Sequence, residues 1–357
     1  MNWSLTPLAI DSAAELRDWR GIAAHAAIRH PLLDGDYLEL VLRHMAPGKK
    51  LYWLRYALAG RTEIIGILER RTAGRWQSWY MPQLPVTPLV CALPAGASQC
   101  AGEGLFAALP GAPWQLKLFD VDRPYVAAPE RLTSLAQAEV LTHQTIAIDL
   151  VRGADDYWQS RSRDLQRNVA RSIRKLNAES GAAQLYVVES AGEMAAAVAA
   201  HAALEQSGWK GAHGSAMRAD DSLGVFYRAV LEFFAARGRA RVYQLRIGDA
   251  VIASQLCISS DSILATMKTS YHGRYASCSP GRMLDYLMLQ HLQSDPVVDR
   301  CEFCVHAGKA DLQWATEARS LRQVEFYRGA GLKDLVVRGR WLVRRFTDRA
   351  APAAGAA

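Results

Sequence analysis

The chain has 357 residues, of which 50% are hydrophobic and 22% are charged, and its formal net charge is +7. This balance is typical of a soluble globular protein, and the length suits one large domain or two of ordinary size. No apolar run approaches the roughly 20 residues of a membrane-spanning helix. Six cysteines are too few for a disulfide scaffold, and Met1 to Ile10 lacks a signal-peptide pattern, so we expect a cytoplasmic protein.

Hydrophobic spacing divides the first half into helices followed by short strands. Residues 5–28 and Asp36–Met45 carry apolar side chains at helical spacing. The period then changes, and Leu51–Leu58 and Thr62–Leu68 predict two strands joined by a turn at Ala59-Gly60. The remaining predictions for this half are a helix at Gly102–Leu109, a strand at Trp114–Phe119, a short helix within Asp122–Ala138 and a strand at Thr142–Leu150.

The second half has clearer patterns, with a mixed α/β order. A basic amphipathic helix or helix pair is predicted at Asp155–Ala178, and a tight turn at Gly248-Asp249. The predicted helices are Ala191–Glu205, Ser222–Ala236 and Arg282–Leu292, and the predicted strands are Gln184–Val188, Ala240–Ile247, Ala250–Ser259, Ser262–Thr269, Val297–Val305 and Val324–Tyr327. Both halves share a helix-then-hairpin order, which is compatible with a diverged duplication of one fold.

Much of the positive charge lies in two clusters. One contains Arg161, Arg163, Arg167, Arg171, Arg174 and Lys175, and the other contains Arg338, Arg340, Arg344, Arg345 and Arg349. The structural interpretation is that these residues lie on solvent-exposed helix faces and bind no ligand. The functional alternative is attraction of a polyanion, for which coenzyme A, tRNA and an anionic glycan precursor all qualify.

Cys301 and Cys304 have the spacing of a zinc or redox pair. No second such pair and no paired histidines lie nearby in the sequence. The segment also reads as a strand, on which residues three apart point to opposite faces. We therefore interpret both as buried structural cysteines and expect no metal site.

The segment Ser270–Gln293 carries the strongest chemical signal. A strand ends near Thr269, a loop of small residues follows, and Pro280-Gly281 opens a helix. The N–H groups and partial positive charge at a helix start bind phosphate, and glycine lets a ligand approach the backbone. The alternative interpretation of this segment is an ordinary capped helix that binds no phosphate.

Five short segments together resemble the CelD/BcsL-like acetyltransferases of cellulose and exopolysaccharide biosynthesis, within the GNAT superfamily, and the related FemAB transferases. These segments are Glu205–Gly211, Phe226-Tyr227, Lys268–Tyr271, Ser279–Gly281 and Glu302-Phe303. The resemblance covers residues 140–330 well and the first half in outline. It implies an α/β (α+β) fold of tandem GNAT-like domains with mixed, largely antiparallel sheets. We expect a diverged N-terminal lobe at 1–145, an acetyltransferase domain at 146–345 and a disordered tail at 350–357.

Acyl transfer needs a proton acceptor, a proton donor and groups that position the substrates. Glu302 and His306 are the predicted catalytic pair, because an even offset on a strand would place them on one face. Tyr271 is a candidate acid, with Tyr275 as its alternative. The structural alternative for Glu302 is an ion pair with Arg319 or Arg322. The residues expected to bind cofactor are Ser279, Gly281 and Arg282, and those expected to bind substrate are Glu205, Trp209, Lys210, Lys268 and Trp314. Glu205 is also a possible base, and the two tryptophans have a simple core role as their alternative.

The leading functional hypothesis is an acetyltransferase that uses acetyl-CoA and no metal to modify an amine or hydroxyl of a sugar or polysaccharide-related acceptor. The second hypothesis is a FemAB-like transferase that uses aminoacyl-tRNA, the one nucleic acid expected as a partner. The third is an inactive binding module in polysaccharide biosynthesis.

Overall fold

The computed structural model describes residues 2–9, 12–25, 29–93, 102, 104–127, 132, 135–208, 211, 214–295 and 297–338. Two compact units make up the chain. The first comprises residues 1–27, 49–142 and 321–357, and the second comprises residues 28–48 and 143–320.

The elements follow in chain order. The helices are α1 (Ala13–Ala24), α2 (Gly35–Met45), α3 (Leu105–Ala108), α4 (Ala154–Ser160), α5 (Arg163–Ser180), α6 (Met194–Ser207), α7 (Ser222–Ala235), α8 (Pro280–Leu292) and α9 (Lys309–Leu312). The strands are β1 (Asn2–Pro7), β2 (Leu51–Leu58), β3 (Arg61–Thr72), β4 (Arg75–Ser78), β5 (Leu89–Cys91), β6 (Gln115–Val121), β7 (Ala136–Asp149), β8 (Gln184–Val188), β9 (Ala240–Ile247), β10 (Ala250–Ser260), β11 (Ile263–Tyr271), β12 (Arg300–Glu302) and β13 (Glu317–Tyr327). Short 3₁₀ turns lie at Pro31–Leu33, Ala191–Glu193 and Gly273–Cys278.

The first unit is built on the strand order β1-β2-β3-β4-β6-β13, with β5 beside β3. Ala59 and Gly60 have φ values of 48° and 81°, which turn β2 back onto β3 as the sequence predicts. Helix α1 buries Leu16, Trp19 and Ile22. The predicted helical start at residues 5–28 is wrong at its beginning, because Asn2–Pro7 pairs with β2 as a strand.

The second unit has the strand order β7-β12-β11-β10-β9-β8. Helices α5 and α8 contribute to a buried cluster on one face, which contains Leu165, Leu284 and Cys301. Helix α6 packs on β10, where His201 Nδ1 lies 3.1 Å from Ser254 Oγ. The predicted helix pair, the strand Gln184–Val188 and the three strands that follow α7 are all present.

Among the described residues, each unit contains one parallel strand pair, and its other described strand pairings are antiparallel. In the second unit Ile263–Ala265 of β11 pairs with Arg300–Glu302 of β12. In the first unit Arg75–Gln77 of β4 pairs with Gln115–Lys117 of β6 in the same way. This mixed, largely antiparallel strand pairing, with helices beside it, confirms the predicted α/β fold class.

Past these paired residues, a hydroxyl bridges the strands in both units. Thr266 Oγ1 donates to the carbonyl oxygen of Phe303 over 2.9 Å in the second unit. In the first unit the N–H of Phe119 donates to Ser78 Oγ over 3.0 Å. Both units thus contain a parallel strand pair followed by a hydrogen bond that involves a hydroxyl, a similarity compatible with a duplicated fold.

Two predicted elements differ from the structure. The strand predicted at Val297–Val305 is limited to Arg300–Glu302, because Cys304 has a φ of 46° and leaves the extended conformation. The described part of Asp122–Ala138 contains no helix. Across the described residues, we also find no helix with the length and apolarity to cross a membrane.

Asp285 is a titratable group that faces the interior from α8. Burial, followed by the nearby Asp311 carboxylate, raises the pKa of Asp285 from 3.8 to about 7, despite a hydrogen bond from Gln255. Between pH 4 and 7 the folded protein therefore retains a proton that the unfolded chain releases. The free energy of unfolding should fall as pH rises through this window and then level off.

We predict that Asp285→Asn removes this pH dependence, since an amide does not titrate. The melting temperature of Asp285→Asn minus that of the unmodified protein should increase as the pH is raised from 5 to 8. Asp249→Asn, at an exposed turn, is the matched control and should show no such trend. A constant difference between Asp285→Asn and the unmodified protein across this range would contradict the prediction.

Candidate functional site

A pocket of about 220 Å³ lies in the second unit, where α6 and β11 both end. The C-terminal end of β11 forms one wall, and the last turn of α6 forms another. The turn Gly273–Cys278, which connects β11 to α8, also lines the pocket through Gly273 and Ala276. The lining residues are Leu204, Glu205, Gly208, Thr269, Ser270, Tyr271, Gly273 and Ala276.

A buried ion pair borders this pocket. Lys268 Nζ lies 2.6 Å from Glu205 Oε1, and the N–H of Met217 donates to Glu205 Oε2 over 3.0 Å. The Glu205 side chain is fully buried, so its charge depends on these partners. Burial, followed by the Glu205 charge, raises the pKa of the neighbouring Tyr227 well above its usual value.

The start of α8 lies beside the same pocket. Ser279 has a φ of 50° and precedes Pro280, the first residue of the helix. A side chain at Gly281 would begin 3.9 Å from Cδ1 of Tyr271, which lines the pocket. The N–H groups in the first turn of a helix have no partner within the helix, so Gly281 and Arg282 can offer them to a ligand.

The pocket and its border thus bring together four residues that the sequence singled out: Glu205, Lys268, Tyr271 and Gly281. Trp209 and Lys210 lie outside the described residues. Trp314 was expected to line an acceptor groove. Instead it is 4% exposed in the core cluster, with its ring 5.8 Å from that of Trp158, so its placement supports the core alternative.

Glu302 is 1% exposed and bonded through both carboxylate oxygens. Arg300 Nε donates to Oε1 over 2.8 Å, and Arg319 Nη2 donates to Oε2 over 2.6 Å. Both arginines also pair with Glu317. This network matches the structural alternative for Glu302, which is not among the residues that line the pocket.

The expectation that Glu302 and His306 share one strand face is wrong. The strand ends at Glu302, and the left-handed Cys304 breaks the alternation between them. His306 is exposed, and its ring stacks 3.6 Å from that of His143 at an interplanar angle of 17°. Burial, followed by the His306 ring, lowers the pKa of His143 to about 4.

Sequence reasoning missed His30, which comes from the segment that precedes α2. His30 Nδ1 accepts the N–H of Leu32, so the hydrogen is carried by Nε2, which lies 3.9 Å from Cys304 Sγ. Burial lowers the pKa of His30 to about 4. Cys301 is fully buried as expected, whereas Cys304 is half-buried. No sequence signal links His30 to Cys304, because 274 positions separate them.

A row of exposed cations runs along α5 beside this site. It comprises Arg163, Arg167, Arg171, Arg174 and Lys175, and we call it the basic row. Lys175 Nζ donates to the carbonyl oxygen of Ser277 over 3.3 Å, which ties one end of the row to the turn before α8. Asp164 and Glu179 pair with Arg167 and Lys175 and leave a net positive surface.

A family model described as an acetyltransferase (GNAT) domain matches residues 163–314. These residues include α5, the pocket and α8. The match indicates a GNAT acetyltransferase domain over these residues, which supports an acyltransferase enzyme.

Solved structures that resemble the whole chain agree on the fold. FemX has 9% sequence identity and a TM-score of 0.57, and the match covers 93% of this chain and 99% of FemX. The C-terminal domain of a proposed lysylphosphatidylglycerol synthetase from Agrobacterium fabrum has 9% identity and a TM-score of 0.55, with coverage of 91% and 96%. At these identities the likeness concerns the fold alone. A search of curated proteins gave no match.

We predict that Glu302→Gln in this GNAT domain lowers the free energy of unfolding by about 3 kcal/mol, because it leaves buried arginine charge without its counter-charge. Turnover per folded molecule should change little. Urea unfolding and turnover corrected for the folded fraction measure the two effects. Glu317→Gln is the control; its side chain is 42% exposed, so its loss should cost at most about 1 kcal/mol. A large loss of turnover at unchanged stability would instead show a catalytic Glu302.

Proposed function

We propose that the protein transfers an acetyl group from acetyl-CoA to an amine or hydroxyl of a sugar or polysaccharide-related acceptor. The observation that carries this proposal is the position of the α8 start beside the pocket at the end of β11. A phosphate held at the helix start and an acyl group in the pocket would belong to one extended donor molecule.

The start of α8 suits the pyrophosphate of coenzyme A. Gly281 has no side chain to block an approaching phosphate, and Pro280 loses only an N–H that has no helical partner. Arg282, in the same turn, adds positive charge. The resemblance of Ser279–Gly281 to the acetyltransferases supports this placement.

Two pocket residues are proposed to move protons. Glu205 lines the pocket as a carboxylate whose charge Lys268 offsets at 2.6 Å, and it is positioned to accept a proton from the incoming amine or hydroxyl. Tyr271 is 41% exposed on the opposite wall, where its hydroxyl suits protonation of the departing thiolate. Glu205 is as tightly paired as Glu302, but Glu205 lines the pocket, whereas Glu302 and His306 are not among the lining residues, and this difference favours Glu205.

The acceptor class rests on the resemblance to exopolysaccharide acetyltransferases. The pocket lining supports a sugar-type acceptor, because Thr269, Ser270 and Tyr271 offer hydroxyl groups and an aromatic ring beside the proposed reaction centre. These are groups that hydrogen-bond to and stack on sugars.

A second candidate is a transferase that takes its acyl group from aminoacyl-tRNA. The basic row favours it, because Arg163 to Lys175 spans about 18 Å of helix at 1.5 Å per residue, enough for several backbone phosphates. Lys175, at the end of the basic row, also bonds to the turn that lines the pocket. Strongly salt-dependent tRNA binding that Arg171→Glu weakens, without acetyl-CoA binding, would favour this candidate.

For the leading proposal, we predict that Gly281→Asp weakens coenzyme A binding at least 10-fold, because it places a carboxylate where the phosphate is expected. The 3.9 Å clearance to Tyr271 leaves room for the new side chain, so the variant should fold. Isothermal titration with coenzyme A measures the dissociation constant.

The matched control is Gly192→Asp, which adds the same charge at an exposed position before α6, where the first side-chain atom would be 3.8 Å from Ser190 Oγ. Its affinity should equal that of the unmodified protein. If a folded Gly281→Asp variant bound coenzyme A as tightly as the unmodified protein does, the α8 start would not be part of the cofactor site.

A further inference from the structure

The basic row on α5 has a regular geometry. Arg163, Arg167, Arg171 and Lys175 follow one another at intervals of four residues, so neighbours lie about one turn apart, with about 6 Å of rise between them. Arg174 lies beside them, and all five side chains are exposed. The opposite face of α5 is buried, so the row has a fixed outward direction.

This arrangement is unfavourable for α5 by itself. Like charges four residues apart on a helix repel each other, and a cation at the helix start also opposes the helix dipole. Arg167 and Lys175 each have an acidic neighbour on the same helix, Asp164 and Glu179 respectively. The other three cations of the row have no acidic partner in the described part of the chain. Such uncompensated charge attracts an extended anion.

One end of the basic row meets the turn that lines the pocket. Lys175 Nζ donates to the carbonyl oxygen of Ser277 over 3.3 Å, and the adjacent Ala276 is a lining residue of the pocket. Arg274, in the same turn, is exposed and adds a further cation. A chain that follows the row therefore arrives beside the pocket over a turn that is itself positively charged.

The length and composition of the row favour one class of polyanion. A single carboxylate or phosphate would use one or two of the five cations, whereas the row spans about 18 Å of helix. Four of the five are arginines, whose planar guanidinium groups bind carboxylates through paired hydrogen bonds. Between Arg163 and Lys175 the helix has no aromatic side chain on which an unpaired nucleic-acid base could stack. These features suit a chain that carries carboxylates at intervals.

From these observations we propose that the acceptor is an acidic polysaccharide, whose chain lies along the basic row while one of its sugar units enters the pocket. The proposal rests on the function proposed above and names the acceptor class of that site. Carboxylates of the chain pair with the row, and a hydroxyl of the sugar in the pocket faces Glu205. The hydroxyl oxygen bonds to the acetyl carbon as the carbon–sulfur bond breaks, and the coenzyme A thiolate gains one proton for the one that the hydroxyl loses.

The test uses the full chain and two acceptors that differ only in charge, hexagalacturonate and its methyl ester. Isothermal titration should show that hexagalacturonate binds at least about 10-fold more tightly than the ester at low salt. The difference should shrink as salt is raised from about 50 to about 200 mM, because screening weakens exposed charge pairs. Equal affinity for the two oligomers would overturn the proposal.

Arg171→Glu tests the row itself. It should raise the dissociation constant for hexagalacturonate, and the KM for this acceptor, about 5-fold or more, with little change in kcat or in the dissociation constant for coenzyme A. The new glutamate would stand four residues from both Arg167 and Lys175, so the melting temperature should hold or rise.

Arg228→Glu is the matched control. It makes the same charge change at an exposed arginine in the middle of α7, a helix outside the core cluster to which α5 and α8 contribute. Its affinity for hexagalacturonate should stay close to that of the unmodified protein. Equal losses of affinity in Arg171→Glu and Arg228→Glu would overturn the proposal, because net charge alone would then explain them.

Two further outcomes separate this proposal from the functions proposed above. If tRNA bound more tightly than hexagalacturonate and Arg171→Glu weakened tRNA binding to the same extent, the polysaccharide would be overturned in favour of the second candidate. Binding of hexagalacturonate that depends on Arg171, without acetyl transfer from acetyl-CoA, would support the binding surface and overturn the proposed reaction alone.

Discussion

The arrangement of the second unit depends on the point at which the parallel strands β11 and β12 separate. β11 and β12 share only the pairing of Ile263–Ala265 with Arg300–Glu302. Beyond it, Thr266 Oγ1 donates to the carbonyl oxygen of Phe303, and the described strand pairing between β11 and β12 stops. A gap of this kind lets a ligand bond to strand backbone without unfolding the sheet. The pocket lies at the end of β11 beyond this divergence, and the α8 start lies beside the pocket.

Buried charge pairs keep the two walls of the gap in place. Lys268 of β11 holds Glu205 of α6 on one side, and Arg319 holds Glu302 of β12 on the other. Such pairs add little net stability compared with an apolar core, but breaking one leaves a buried charge and is costly. They therefore fix the positions of β11, α6 and β12 more than they strengthen the fold. The Glu205 pair also borders the pocket, which gives it a part in the chemistry that the Glu302 pair lacks.

Local sequence patterns predicted the elements of the second unit well, because periodicity and turn residues act over short distances. β8 and β9 have their predicted bounds, and the Pro280-Gly281 signal correctly marks the start of α8. The site was predicted only in part. Glu205, Lys268 and Tyr271 line or border one pocket, but Cys304 takes a left-handed conformation that ends β12 early and separates Glu302 from His306. His30 had no local signal, since its contact with Cys304 joins residues distant in the chain.

Hydrogen exchange with and without coenzyme A is the most direct measurement of the central claim, that the donor binds at the α8 start and in the adjoining pocket. The account predicts slower exchange of backbone amides at residues 204–208 and 270–283 when coenzyme A is present, with no change in β8 at the edge of the sheet. Binding of coenzyme A without protection in these two segments would contradict it.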